Sequence, residues 1–300
     1  MKYNSLLLIA LLGSGCVMAE PRMKVTFHVK EIGSNKVLSN SVIRVFNGNE
    51  WESKQVNAEG FCSFEGNAMS FGWKGRTTLD GYYDDVSGAK YNKLNHILNR
   101  WEPWNPTIEV KLRKKKNPVS MVHRPIQKNA FKVPTYNQPI GYDLEMDSFV
   151  KPHGNGLHSD LFFEFKRAFE NSQNYEVSCT VSFPNEQDGI QEVNFSKKQA
   201  AFQWPYLAPT NNYKSLMTWR SARANAKPVV HNFDEKRVNY IFRIRTQTDE
   251  EGNITSACYG KIEGAFGLGW ADWVNWVYWF NPVPNERSLE WNGVNLLKKK

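Results

Sequence analysis

Tyr259–Asn281, YGKIEGAFGLGWADWVNWVYWFN, holds four of the eleven tryptophans of a 300-residue chain, at 270, 273, 276 and 279. Wound as a helix, the stretch scatters these indoles over half a turn and leaves a narrow polar strip of Asp272 and Asn275, with Trp279 between them. Extended, it splits them two and two. Trp270 and Trp276 share one face with Val274, Tyr278 and Phe280, while Trp273 and Trp279 share the other with Val277. Pro282 and Pro284 stop the run. We read a strand with one face in a core. Trp273 and Trp279, on the other face, are either covered or are a binding surface.

The chain before it has the same two-residue period. Tyr240 to Thr248 alternates, Asp249-Glu250-Glu251-Gly252-Asn253 turns, and Ile254 to Phe266 returns with Ile254, Cys258, Ile262 and Phe266 on one face, which is a hairpin. Tyr175 to Phe183 points Tyr175, Val177, Cys179, Val181 and Phe183 inward. From Leu157, the residues Leu157, Ser159, Leu161, Phe163 and Phe165 face His158, Asp160, Phe162, Glu164 and Lys166 across a strand. Cys179 and Cys258 both point into this core, as a disulfide if their strands are neighbours or as two buried thiols. Residues 141–300 are therefore expected to form an antiparallel β-sandwich, jelly-roll-like, and they match no family we recognise.

The N-terminal part is also strand-like. Met23, Val25, Phe27 and Val29 alternate with Lys24, Thr26 and His28, and a polar turn at Gly33-Ser34-Asn35 leads to Ser41-Val42-Ile43-Arg44-Val45. Asn57-Ala58-Glu59-Gly60-Phe61-Cys62-Ser63-Phe64 reads as a turn feeding a strand, and Ile108-Glu109-Val110-Lys111-Leu112 closes the set. With Val29-Lys30-Glu31 and Gly81-Tyr82-Tyr83, this order resembles the carboxypeptidase regulatory-like, or transthyretin-like, β-sandwich family over residues 20–116. It departs from the family at Val37-Leu38, where a turn proline is usual, and in a long insert, Asp84 to Asn105. The resemblance implies a non-catalytic accessory or adhesive module. The whole chain is thus expected to be mostly β, with a Pro-rich basic linker at 117–140 that follows the run KLRKKK and carries prolines at 118, 125, 134 and 139.

Residues 1–19 read as an export signal: Lys2, an apolar run from Leu6 to Leu12 too short to span a bilayer, then small residues. Val17-Met18-Ala19 suits cleavage by signal peptidase I, whereas Gly13-Ser14-Gly15-Cys16 resembles a lipobox that would put a lipid on Cys16. The expected location is the periplasm or cell exterior, alternatively a lipid anchor in a bacterial envelope, with no transmembrane segment once the signal is removed. The mature chain keeps 37 basic side chains against 30 acidic ones, and the excess is concentrated in KLRKKK and Lys298–Lys300. A charge that is local and a chain that is exported argue against nucleic acid and leave a glycan or an envelope protein as partner.

The chemistry-bearing candidates are few. His153, His158 and Asp160 lie in HGNGLHSD, where a glycine-rich loop that can fold back leads into a strand that sets His158 beside Asp160, a geometry that suits a metal or a catalytic acid/base pair. Asp143, Glu145 and Asp147 share a face if extended, which suits Ca²⁺ or paired-carboxylate chemistry. His28 and Glu31 match a zinc spacing on paper, but residues three apart on a strand diverge. Trp101 and Trp104, between Arg100 and Pro106, are a second candidate sugar platform. No His-Glu-x-x-His, P-loop, dinucleotide fingerprint or nucleophile elbow occurs beyond the leader, and we expect no cofactor and no metal. The function expected is that of an exported two-domain envelope protein, non-catalytic, binding glycan or protein. The alternative is a carbohydrate-active or other hydrolytic enzyme with its site on the C-terminal sandwich.

Overall fold

The computed structural model describes residues 20–46, 50–67, 72–128, 130–195, 200–233 and 238–297. Residues 1–19, read above as an export signal and including Cys16, and Lys298–Lys300 lie outside these residues. Every regular element among them is a strand. They form two compact units, one of residues 20–114 with 200–201 and one of residues 115–195 with 202–297.

The first unit runs β1 (Arg22–Glu31), β2 (Val42–Phe46), β3 (Trp51–Gln55), β4 (Phe61–Asn67), β5 (Lys74–Thr78), β6 (Tyr82–Tyr83), β7 (Asp85–Gly88), β8 (Lys93–Asn95), β9 (Arg100–Glu102) and β10 (Thr107–Lys114). Strand β1 is central, antiparallel to β4 and parallel to β10, in a mixed sheet that faces a second sheet of order β3-β2-β5-β7. Its alternation sets the core: Met23, Val25, Phe27 and Val29 are fully buried and meet Ile43 and Val45 of β2. Each such side chain stabilises the fold by about 2 kcal/mol. Gly75 on β5 is what lets the sheets close, since a Cβ there would lie 2.9 Å from Ile43 Cγ2 and 3.0 Å from Phe27 Cζ. The turn before β4 is built by Asn57, whose Oδ1 accepts from the Phe61 amide at 2.7 Å, and by Gly60 at φ +84°. The insert from Asp84 is largely ordered as β7 to β9. It delivers Trp101 into the core at 7% exposure.

The second unit runs β11 (Val119–Arg124), β12 (Phe131–Lys132), β13 (Pro139–Asp143), β14 (Ser148–Phe149), β15 (Leu161–Asn171), β16 (Asn174–Ser182), β17 (Gly189–Glu192), β18 (Leu216–Arg223), β19 (Val230–His231), β20 (Asn239–Thr248), β21 (Ile254–Leu268), β22 (Trp273–Asn281) and β23 (Trp291–Asn295). One sheet has the order β17-β20-β21-β22-β11-β23 with β12 also on β22, and the other β14-β13-β15-β16-β18-β19. They share one core. The expected hairpin is β20–β21, and β22 follows it as a strand with Val274, Trp276, Tyr278 and Phe280 buried. The fold is a pair of β-sandwiches.

Two expectations fail here for physical reasons. Residues 117–140 are not a free linker: β11 and β12 pair with β22, and Met121, Val122 and Val133 are buried. The prolines sit where no ladder bond is needed, with Pro139 as the first residue of β13. Cys179 and Cys258 do not form a disulfide. They lie on strands of opposite sheets, and both are free buried thiols, as is Cys62.

The segment is held by charge as well as by pairing. Arg124, fully buried, sets its Nε 2.9 Å from Asp147 Oδ1, donates through Nη1 to the Trp276 carbonyl at 2.9 Å, and lies 4.7 Å over the Phe131 ring. Asp147, 1% exposed, also accepts from Tyr142 Oη and pairs with Lys128. Removing one partner strands a charge in an aromatic core. Asp147→Ala is expected to lower unfolding stability by about 3–5 kcal/mol, and the double change Arg124→Met/Asp147→Leu by less, both read by urea denaturation of the full chain.

Candidate functional site

Strands β21 and β22 pair as far as Leu268 and Val274, so the residues between them cap one end of the second unit. The Asp272 backbone, at φ +63°, makes the turn. Its carboxylate takes Arg167 Nη1 at 2.5 Å and the Tyr136 hydroxyl, and its carbonyl accepts from the Val133 amide at 2.8 Å. Burial and the adjacent carboxylate push the Tyr136 hydroxyl up to about 12, so it stays a donor. On this clamped turn Trp270 is 44% and Trp273 51% exposed. Trp270 stacks on Phe169, itself 44% exposed at the end of β15, with centroids 6.1 Å apart and planes 13° from parallel. The Arg167 guanidinium lies 4.1 Å over the other ring, Phe169. The result is an aromatic ledge, the stacked Phe169–Trp270 pair with Trp273 at the start of β22, on a turn held by Asp272, Arg167 and Tyr136.

Trp279, on the same face of β22 as Trp273 as expected, is half-buried. His123 of β11 stacks on it at 4.4 Å and 9°, its Nδ1–H donating to the Tyr278 carbonyl at 2.9 Å, and Trp291 closes from 6.3 Å. Lys261, opposite Trp279 on β21, is buried beside it. Its Nζ donates to the Leu289 carbonyl at 2.6 Å and lies about 5 Å from the Phe202, Trp204 and Trp279 rings. Burial lowers the Lys261 ammonium to about 7. Trp279 therefore covers the sheet.

Trp101 and Trp104 also fall away as a platform. The first is in the core of its unit. The second is half-buried, with the Arg100 and Arg22 guanidinium groups 5.0 and 5.7 Å from its ring.

His158 and Asp160, without His153, line a pocket of about 470 Å³ that Arg245 and Asn185 also line. The expected strand geometry is absent, because β15 begins only at Leu161. Asp160 is 2% exposed; it accepts Arg245 Nε at 2.7 Å, Arg245 Nη2 at 3.1 Å and the Leu144 amide at 3.0 Å. Burial pushes its carboxyl above the usual range and Arg245 opposes this. Arg245 stands at φ +56° where the β20–β21 register slips, and that bulge turns its side chain toward Asp160 and, at 2.6 Å, Glu145. Sequence reasoning missed Arg245; the only signal was a second arginine two residues after Arg243 inside an apolar strand.

The remaining acids are absorbed by the backbone. Asp143 caps the amides of Glu145, Met146, Leu157 and His158 at 2.9 to 3.1 Å. With Asp147 on Arg124 and Glu145 on Arg245, the three carboxylates do not converge. His28 stacks on Phe61 at 4.1 Å, whereas Glu31 binds Ser34 and Tyr82. Among the described residues no group of three or more His, Cys, Asp or Glu could hold a metal ion. No helix of the described residues is long and apolar enough to cross a membrane.

No protein-family model and no curated protein matches the chain. Solved structures are similar at low identity. A DUF3823 family protein from Parabacteroides merdae is 11% identical over 91% of this chain and 100% of that one, with a TM-score of 0.23. A candidate carbohydrate-binding protein from Bacteroides uniformis is 10% identical over 89% and 99%, with a TM-score of 0.19. BcpA, the major pilin subunit of Bacillus cereus, is 11% identical over 91% and 97%, with a TM-score of 0.24. Scores this low put no residue of this chain on a residue of theirs.

Lys261 gives the site region a measurable pH signature. Its folded pKa is near 7 and its unfolded one near 10.5, so the unfolded chain binds the extra proton between these values and stability rises with pH across that window. Lys261→Met is expected to stabilise the protein at pH 7 by about 1 kcal/mol or more, with the gain shrinking toward pH 9.5. Denaturation of both proteins at several pH values, compared as a difference, checks this.

Proposed function

We propose that this chain is an exported, non-catalytic protein of the cell envelope whose second unit binds glycan on the ledge of Phe169, Trp270 and Trp273. The single observation behind this is that Trp270 and Trp273 are left about half exposed at a turn otherwise fixed by hydrogen bonds and an ion pair, with exposed Phe169 of β15 stacked on Trp270. Sugar rings present apolar C–H faces to such indoles, while their hydroxyls suit the neighbouring Asp272, Arg167 and Tyr136. Rigidity lowers the ordering cost of binding. In this reading the first unit is a carboxypeptidase regulatory-like structural module, the leader directs export, and Cys16 is either removed with it or carries the anchor.

A hydrolytic site along the Asp160 pocket is the competing reading, and the geometry weighs against it. The Asp160 carboxylate is already held by three donors, which leaves it poorly placed to exchange a proton with substrate.

A glycan array probed with the full chain, beside a panel of chromogenic glycosides, separates the two. The expected outcome is binding without turnover, weakened at least about tenfold by Trp273→Ala or Trp270→Ala. Turnover that His158→Ala abolishes, or glycan binding indifferent to both tryptophans, would sink the proposal.

A further inference from the structure

The first unit has a different exposed face that the ledge does not explain. On the outer side of the sheet β3-β2-β5-β7, β2 turns out Val42, Arg44 and Phe46, β3 turns out Trp51, Ser53 and Gln55, and β5 turns out Lys74 and Arg76. Trp51 is 55% and Phe46 43% exposed, and their rings meet at 5.3 Å. The Arg44 guanidinium lies 4.7 Å over Trp51.

Charge is arranged here against the sheet's own interest. Arg44 and Arg76 are direct cross-strand partners, an opposition of like charges that costs stability. Asp84 answers Arg76, with contacts of 3.0 and 2.6 Å. Among the described residues no carboxylate pairs with Arg44 or Lys74, and none of the eight outward positions named above is acidic.

We infer that this face binds a carboxylate-bearing polysaccharide. A guanidinium laid on an indole is pre-oriented, with its N–H fork free to take a carboxylate in two hydrogen bonds. Phe46 and Trp51 offer ring faces beside it, so ring-stacking and carboxylate-pairing positions lie next to each other on one face of the sheet. A polyuronate presents those same two features in alternation along its chain. An acidic peptide would use the cations and leave the rings idle. The site is separate from the ledge and does not depend on it.

The test is calorimetric titration of the full chain with polygalacturonate oligomers at low and at physiological salt. Binding is expected at low salt and to weaken as salt rises, because the cations are exposed. Arg44→Gln and Trp51→Ala should each weaken it about tenfold. Phe46→Ser is a second ring variant should Trp51→Ala disturb folding, and Trp273→Ala should leave this binding intact. The inference is overturned if polygalacturonate does not bind, if the ring variants bind as well as the parent, if poly-glutamate binds equally, or if phosphatidylglycerol vesicles bind as tightly through the same residues. Loss on Trp273→Ala instead would assign the polymer to the ledge.

Discussion

A buried guanidinium and a buried carboxylate fix much of the second unit. Arg124 is on β11 and Asp147 lies just before β14, in opposite sheets, and neither side chain reaches water. Charges so placed persist only if each stays near the other and every remaining polar atom finds a partner, which the Trp276 carbonyl, Tyr142 and Lys128 help to provide. Meeting that condition draws the chain from 119 to 149 into the sandwich. It also puts Phe131 between the ion pair and the aromatic core, edge-on to Tyr142 and Phe149. The cost of isolating either charge is what makes this packing specific.

That condition also separates what could be read in the sequence from what could not. Period-two patterning is local, so β1, β15, β16 and the run from β20 to β22 were legible: a half-buried strand must alternate wherever its partner lies. Residues 117–140 were not, because their strands are only two to six residues long and Arg124, a charged residue at 0% exposure, imitates a solvated position. The long-range partner that neutralises it cannot be seen in a local window. Asp160 failed likewise. Alternation extended back from Leu161 put it on an outer face, but its partner Arg245 lies 85 residues later on a bulged strand. Cys179 and Cys258 did point into one core, as their strand parity required. Parity names a face and leaves open which sheet carries it, and these two strands lie across the core from each other.

The tryptophans show the same boundary at finer scale. Strand parity correctly put Trp276 inside and Trp273 and Trp279 on the opposite face of β22. It could not tell those two apart, because the difference arises from what lies across and above them. Trp279 sits between Lys261 of β21 and His123 of β11, in the middle of the sheet. Trp273 is the first residue of β22, beside Lys132 of a two-residue strand, with too little chain around it to be covered. Trp270, assigned to the strand by parity, lies in the turn and stacks sideways on Phe169.

Binding and catalysis ask opposite things of a side chain, and this distinguishes the two candidate regions. A general acid or base must change its charge while bound to substrate, so it needs a proton-exchanging atom that the fold has not already committed. In the loop and pocket around 143–160, Asp143 is spent on four amides, Asp147 on Arg124, and Asp160 and Glu145 on Arg245. Exchanging any of these protons would break the interaction that holds the loop. Trp270 and Trp273 are the reverse case. The turn that carries them is fixed by Asp272, Arg167 and Tyr136, while about half of each ring is left exposed. A rigid frame with uncommitted apolar area loses little entropy on meeting a flat apolar ligand face and gains the full burial of that area. The fold therefore leaves apolar ring surface exposed at the β21–β22 turn and commits the carboxylates of 143–160 to amides and arginines.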